Sequence, residues 1–223
     1  MPRAARVVVT GVPHHVTQRG NRRENIFRQD ADRLKYLELL REYAWKHGME
    51  VLAYCLMTNH VHLVVIPRLE TTLSEVLGPV HLRYAQYFNW LYKLSGRLLW
   101  QGRYFSCPLD DRHCLAAIRY VDRNPVRAGL AARPEDYDWS SAPGHTGLRQ
   151  DPLLAADSKY LAAIEDWTKW LAEPDEEDII KGVRQHTMTG RPLGSRSFVT
   201  RIEVSVGRIL HALPWGRPRK RQK

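Results

Sequence analysis

The chain has few cysteines and no long apolar run. Its three cysteines, Cys55, Cys107 and Cys114, are odd in number and form no Cys-x-x-Cys pair, so neither a disulfide framework nor a cysteine-rich zinc site is indicated. Cys55 and Cys107 lie in apolar stretches and are predicted to be small core residues. No apolar stretch approaches the roughly 20 residues that cross a bilayer, and the N-terminus lacks the apolar segment of a signal peptide. We therefore expect a cytoplasmic protein without a membrane partner.

Acidic residues are also scarce relative to basic ones. The 24 Asp and Glu residues face 34 Lys and Arg residues, which gives a net charge of +10. Such an excess favours a polyanionic partner, nucleic acid before an anionic membrane surface, because no strongly basic amphipathic helix is present. The basic residues cluster in two places: Arg19, Arg22 and Arg23 after the first predicted strand, and Arg217, Arg219 and Lys220 near the end. The early cluster would either hold DNA phosphates or form a solvated turn.

Hydrophobic periodicity predicts an α+β fold. The predicted elements are strands at 6–18, 50–57, 60–66 and 98–108, and helices at 30–47, 72–94 and about 111–129. Their order, β-α-β-β-α-β-α, is typical of the ferredoxin-like split βαβ arrangement, with helices on one face of an antiparallel sheet. We predict that this unit spans residues 1–145. A mainly helical C-terminal extension at 146–212 follows it, with helices expected at about 156–172 and 198–211 and an acidic stretch at 173–178 between them. A basic tail at 213–223 comes next.

Two histidines inside an apolar run, His60 and His62, carry the strongest single signal. Alternate residues of a strand point to the same face, so both imidazoles would project together while Val61 and Leu63 are buried on the other face. Two neighbouring imidazoles form half of a metal site. The alternative is a pair of histidines at a strand edge without a role. His14 and His15 form a second pair, but a lone strand histidine is usually satisfied by hydrogen bonds, and neither is included in the metal set.

Tyr120 and Asn124 lie four residues apart on the third predicted helix. This spacing places a hydroxyl and an amide on one helix face, about one turn apart. Pro125 disfavours helical geometry at Asn124, so the helix is expected to end close to that residue. The alternatives are a half-buried aromatic at Tyr120 and a helix-terminating residue at Asn124.

Four ordered motifs make a resemblance specific. They are His-Val-Thr-Gln-Arg-Gly-Asn-Arg-Arg (15–23), Tyr-Cys-Leu-Met-Thr-Asn-His-Val-His-Leu (54–63), Trp-Gln-Gly-Arg-Tyr-Phe (100–105) and Tyr-Val-Asp-Arg-Asn-Pro-Val-Arg-Ala-Gly-Leu (120–130). Over about residues 5–142 the chain resembles the single-tyrosine HUH transposases, and among them the REP-associated tyrosine transposases. The resemblance implies that His60 and His62 bind a divalent metal, Mg or Mn, and that Tyr120 is the nucleophile. Asn124 falls where related enzymes have a third polar ligand, often Gln.

The same resemblance implies a reaction and a substrate. Tyrosine attack on a phosphate of hairpin-bearing single-stranded DNA would give a 5′-phosphotyrosine and a free 3′-hydroxyl, so rejoining needs no ATP. Tyr104 is the rival nucleophile, although its strand-like surroundings favour packing. Such enzymes act as monomers or as homodimers. A DNA-binding regulator without strand transfer and a hydrolytic nuclease that uses water are the alternative functions.

The C-terminal tail adds a possible second DNA contact. Its Gly-Arg-Pro core, flanked by basic residues, looks like an AT-hook that inserts arginines into the minor groove of A·T-rich duplex DNA. The alternative is a basic tail that adds only nonspecific attraction.

Overall fold

A computed structural model describes residues 6–211. A four-stranded sheet organises this part of the chain, and its neighbouring strands are all antiparallel in the order β2-β3-β1-β4. The strands are β1 (His14–Arg19), β2 (Met49–Met57), β3 (His60–Pro67) and β4 (Phe105–Pro108). The predicted tail, with Arg217, Arg219 and Lys220, lies outside the described residues.

Nine helices accompany the sheet within residues 6–211. They are α1 (Asp30–His47), α2 (Thr72–Leu91), α3 (Asp111–Asp122), α4 (Asn124–Arg127), α5 (Ala142–His145), α6 (Lys159–Ala162), α7 (Trp167–Ala172), α8 (Glu177–Thr189) and α9 (Arg196–Val206). The α+β class, the antiparallel sheet and the predicted element order up to α3 are confirmed. The predicted last strand is shorter than expected, since only residues 105–108 pair with β1 in register. None of the described helices is long and apolar enough to cross a membrane.

The helices cover both faces of the sheet, whereas the sequence predicted helices on one face. α1 and α2 enclose the first core, to which the sheet contributes Val16, Leu63 and Val65. α3 and α8 cover the opposite face, where Val64 and Cys107 lie in a second core. The reason is visible in β2 and β3, which are almost entirely buried rather than buried at every second residue. A strand that is apolar on both sides needs two covering layers.

The C-terminal part of the described chain contributes to this second core. Tyr160, Val183 and Leu193 pack with residues of the sheet and of α3. The helix predicted at about 156–172 is two short helices, α6 and α7, and α8 was not predicted. The free cysteines Cys55 and Cys107 are fully buried in the same core, as expected. The domain boundary at residue 145 stays a prediction. Side chains from both sides of this boundary pack together in the second core.

Buried histidines make the fold sensitive to acid. Burial lowers the pKa of His81 to about 3, with the nearby Arg6 charge contributing, and lowers that of His14 to about 4. His81 lies among Tyr36, Trp100 and Tyr104, and its Nε2 is 3.0 Å from the Tyr36 hydroxyl. A histidine whose pKa is lower in the folded state stabilises the fold above its unfolded pKa, and that stability is lost as the pH falls below it.

We therefore expect the free energy of unfolding to fall between about pH 6.5 and 4.5, by up to about 1.4 kcal/mol per pH unit for each such histidine. This window lies above the range in which most carboxylates titrate. Urea unfolding at a series of pH values measures the slope. His81→Gln should reduce the slope whatever its effect on absolute stability, and an unchanged slope would contradict the assignment.

Candidate functional site

His60 and His62 lie side by side on β3. Their ring centroids are 4.9 Å apart, and His62 is only 6% exposed. β3 alternates as predicted: the intervening Val61 belongs to the first core, while His62 faces α3 on the opposite side of the sheet. The strand therefore presents two imidazoles in one direction.

The neighbours of His60 define which ring nitrogen carries its proton. The Asn59 amide donates through Nδ2 to the Arg23 carbonyl at 3.0 Å, so its Oδ1 is the atom 2.6 Å from His60 Nδ1. An amide oxygen can only accept, which makes Nδ1 of His60 the donor. In the neutral ring, Nε2 then carries the lone pair that a metal ion requires.

Electrostatics favour the neutral form of both rings. Burial lowers the pKa of His60 to about 4, and the charge of Arg19 on the neighbouring strand adds to this effect. Burial also holds the pKa of His62 well below its ordinary value, helped by the adjacent His15 and His60 and by the charge of Arg127. Histidine binds metal only when it is deprotonated. Both rings are therefore in the binding form at neutral pH.

Tyr120 reaches His62 and His15 from α3. The Asp110 side chain caps this helix by accepting from the His113 backbone N–H, and the helix buries one side against the sheet. The Tyr120 ring centroid lies 5.5 Å from that of His62 and 5.8 Å from that of His15, edge-on to both. The residue is 4% exposed. A phenol thus lies against a pair of imidazoles within one chain.

Asn124 begins the helical turn that follows α3. Arg123, between the two helices, stays in the helical region with φ −83° and ψ 0°, so Asn124 follows Tyr120 by about one turn, as predicted. Asn124 is 8% exposed, and its buried Nδ2 has no hydrogen-bond partner. No group of three His, Cys, Asp or Glu side chains within residues 6–211 could hold a metal. Two imidazole nitrogens and an amide oxygen would suit a divalent ion with open positions, and the role of His60, His62 and Asn124 as its ligands stays a prediction.

The early basic cluster borders this site. Arg19 lies opposite His60 in the register of β1 and β3, and Arg22 and Arg23 form an exposed turn with positive φ angles of 52° and 62°. Gly20 permits the turn, because a Cβ there would lie 2.4 Å from the Glu24 carbonyl oxygen. Within the described chain, no acidic side chain forms a salt bridge with these three arginines. Their charge is available to an anion.

The sequence model of the family described as "Transposase IS200 like" matches residues 8–124, slightly more than half of the chain. The chain belongs to this transposase family. The matched segment contains His60, His62, Tyr120 and Asn124. The protein is thus a transposase-like enzyme that binds single-stranded DNA and transfers DNA strands.

One solved structure shows the fold of this transposase, and a second is reported for its sequence identity. A REP-associated tyrosine transposase bound to a REP hairpin matches with a TM-score of 0.52 and 16% identity, over 70% of this chain and 93% of that one. A transposase-like protein from Deinococcus radiodurans matches with a TM-score of 0.38 and 24% identity, over 55% and 97%. No curated protein matches the chain.

Two arginines next to the transposase tyrosine were not predicted as site residues. The Arg127 guanidinium lies 4.3 Å from the Tyr120 ring centroid, donates to the Tyr120 carbonyl and is held by Asp175 at 2.7 Å. The Arg184 Nε, on α8, donates to the Tyr120 hydroxyl at 3.3 Å. Arg127 stands in the quoted 120–130 motif, so its spacing from Asn124 was available as a signal. Arg184 lies beyond every motif, and nothing in the sequence marked it.

Tyr104, the rival nucleophile, occupies the other core. It packs beside His81 and under the Arg6 guanidinium, 3.7 Å from its ring centroid. The first core lies across the sheet from His62. In the transposase fold, Tyr104 is therefore separated from the imidazole pair by the sheet itself.

Proposed function

We propose that the chain is a metal-dependent single-stranded DNA endonuclease and strand transferase that acts through a covalent 5′-phosphotyrosine at Tyr120. The observation that carries the proposal is the contact of the Tyr120 ring with His62, 5.5 Å between centroids, next to His60. A tyrosine that packs against one of two neighbouring neutral imidazoles matches the demands of phosphoryl transfer to tyrosine.

We propose His60 and His62, through their Nε2 atoms, and Asn124, through its amide oxygen, as the ligands of a divalent ion, Mg or Mn. The bound ion would polarise the scissile phosphate as a Lewis acid. The unpartnered Asn124 Nδ2 is suited to donate to a phosphate oxygen. Arg127 and Arg184 supply positive charge next to the ring and hydroxyl of Tyr120.

The reaction conserves the phosphodiester bond energy. The Tyr120 oxygen loses its proton and forms a bond to phosphorus, while the bond from phosphorus to the 3′ oxygen breaks. That oxygen takes up a proton and leaves as a 3′-hydroxyl. Arg184, 3.3 Å from the Tyr120 hydroxyl, would stabilise the phenolate charge during the attack. A later attack by a 3′-hydroxyl reverses these steps and rejoins a strand.

For the substrate, we propose hairpin-forming, repetitive palindromic DNA. Support comes from the four motifs that resemble REP-associated tyrosine transposases and from the fold shared with one such protein. Since Tyr120 and His62 of one chain already meet, we propose that a monomer holds a complete site, with a homodimer as the alternative. We also propose a cytoplasmic location, where the protein would meet its DNA substrate. Arg217, Arg219 and Lys220 are proposed to bind A·T-rich duplex DNA.

The decisive experiment is covalent adduct formation. The protein is incubated with Mn²⁺ or Mg²⁺ and a labelled single strand that contains a hairpin, and denaturing electrophoresis detects label on the protein. We expect an adduct with metal and none with EDTA. Binding that persists with EDTA, without an adduct under any metal condition, would instead indicate a DNA-binding regulator. Cleavage without an adduct would indicate a hydrolytic nuclease.

We also propose that Arg22 and Arg23 bind DNA phosphates. The double variant Arg22→Ala and Arg23→Ala should weaken hairpin binding and reduce the slope of log affinity against log salt concentration by about 0.7 for each lost single-strand phosphate contact. Fluorescence anisotropy at several salt concentrations measures the slope. Arg41→Ala with Lys46→Ala removes the same charge from exposed positions on α1. Equal slopes for the two double variants would mean that the turn is only solvated.

A further inference from the structure

His15 is a buried histidine that the proposed reaction does not use. It lies on β1, 1% exposed, and its ring lies beside that of His62, with the planes 14° apart and the centroids 5.1 Å apart. Its Nε2 is 2.9 Å from His62 Nδ1, and its Nδ1 is 2.6 Å from the Thr187 Oγ1. Thr187 lies on α8, outside the segment that the family model matches. A line of hydrogen bonds thus connects α8 to a candidate metal ligand.

The direction of these hydrogen bonds follows from Thr187. Its hydroxyl has one proton, and its Oγ1 lies 2.6 Å from the Val183 carbonyl oxygen, which can only accept. The hydroxyl therefore donates to Val183. The remaining neighbours must donate to Thr187: His15 through Nδ1–H at 2.6 Å, and the weakly donating Cys107 thiol at 3.3 Å. With one proton given and two accepted, the hydroxyl is satisfied.

The same reasoning passes through His15 to His62. No carboxylate within the described chain hydrogen-bonds to His15, and the ring is buried, so it is neutral. A neutral ring protonated at Nδ1 accepts at Nε2, and His62 must then donate from its own Nδ1. The lone pair of His62 consequently lies on Nε2. His62 and His60 are thus both protonated at Nδ1, His62 through its contact with His15 and His60 through its contact with Asn59.

We propose that His15, oriented by Thr187, is a positioning residue that fixes the tautomer and ring orientation of His62 for a divalent metal ion. The metal part rests on the proposed function, whereas the tautomer does not. Groups that hydrogen-bond to ligating histidines typically change metal affinity about 10- to 100-fold when they are removed. α8, far along the chain from every motif, would thereby belong to the machinery of the site.

The first measurement is the tautomer of His62 in the metal-free, full-length protein. Long-range ¹H–¹⁵N correlation spectra of the imidazoles should show His62 protonated at Nδ1 and not at Nε2. Thr187→Val keeps the side-chain shape but removes the acceptor of His15, so His62 should then populate the other tautomer. A wild-type His62 protonated at Nε2, or an unchanged His62 spectrum in Thr187→Val, would overturn the proposal.

The second measurement is Mn²⁺ affinity, determined by electron paramagnetic resonance of the free ion. Thr187→Val and His15→Phe should weaken binding by about 10- to 100-fold, and His15→Gln, which keeps an acceptor, should lose less than His15→Phe. Thr146→Val is the matched control, since the Thr146 hydroxyl also donates to the carbonyl four residues before it, that of Ala142, and its hydrogen bonds go to backbone carbonyls. If Thr187→Val binds Mn²⁺ as tightly as Thr146→Val, the positioning role is wrong. Wild-type protein that binds no Mn²⁺ while its His62 shows the expected tautomer would refute the metal site alone.

Discussion

Replacing Tyr120 with phenylalanine is expected to abolish the covalent protein–DNA adduct and to leave hairpin binding intact. The substitution removes the attacking oxygen and keeps the ring that packs against His62 and His15. Loss of a nucleophile removes the chemical step, so adduct formation should fall by at least about 10³-fold. Denaturing electrophoresis measures the adduct, and anisotropy with the same labelled hairpin measures binding.

Tyr104→Phe is the matched control for that experiment, because Tyr104 lies in the first core on the other side of the sheet. It should form the adduct at close to the wild-type rate. An adduct that survives in Tyr120→Phe and disappears in Tyr104→Phe would mean that Tyr104 is the nucleophile and that Tyr120 only packs. A mixture of Tyr120→Phe and His62→Ala proteins tests subunit sharing: regained adduct would mean that two chains share a site, against the proposed monomer.

Asp122→Asn is expected to cost more stability than any surface substitution. Asp122 is fully buried on α3, accepts from the Ser141 hydroxyl, and lies 2.7 Å from His145 Nδ1. His145 Nε2 is 2.9 Å from the Leu52 carbonyl oxygen, so both ring nitrogens face acceptors. The Asn amide can replace only one carboxylate oxygen as an acceptor, so a buried donor on Ser141 or His145 loses its partner, at a cost of about 1–3 kcal/mol. Urea unfolding at neutral pH measures this loss.

The control for Asp122→Asn is Asp136→Asn, which breaks an exposed pair with Arg133. Exposed pairs are screened by water, so this variant should unfold close to wild type. Similar stability of the two variants would show that the Asp122 network contributes nothing beyond a surface pair. Because Asp122 stands between Tyr120 and Asn124, its replacement should also lower adduct formation at temperatures where the protein remains folded.

Sequence patterns predicted the part of the site that depends on local geometry. Alternation along one strand was enough to place His60 and His62 on the same face, and helical spacing was enough to place Asn124 one turn beyond Tyr120. The antiparallel sheet followed from the order of the elements and their short connections. The sequence also contained the signal for helices on both faces of the sheet, because the unbroken apolar runs of β2 and β3 leave no polar face.

The parts that were missed depend on contacts between distant segments. His15 was not predicted as a site residue, because its partner Thr187 is 172 residues away and a single sequence contains no signal for that pairing. α8 was not predicted, because its first turn is acidic and gives no apolar pattern. Acidic residues at a helix N-terminus favour the helix dipole, and Ile179, Ile180 and Val183 follow at helical spacing. This periodicity predicts the helix, but it does not predict the contact of α8 with Tyr120.

The position of α8 also limits how this protein can be divided or recombined. The segment recognised by the family model stops at residue 124, while Arg184 and Thr187 support the tyrosine and a histidine from a helix some 60 residues later. A truncated protein ending after the matched segment would lose that support and expose part of the second core. Chimeras that exchange C-terminal regions between related transposases would, for the same reason, alter the reaction centre rather than only append a new module.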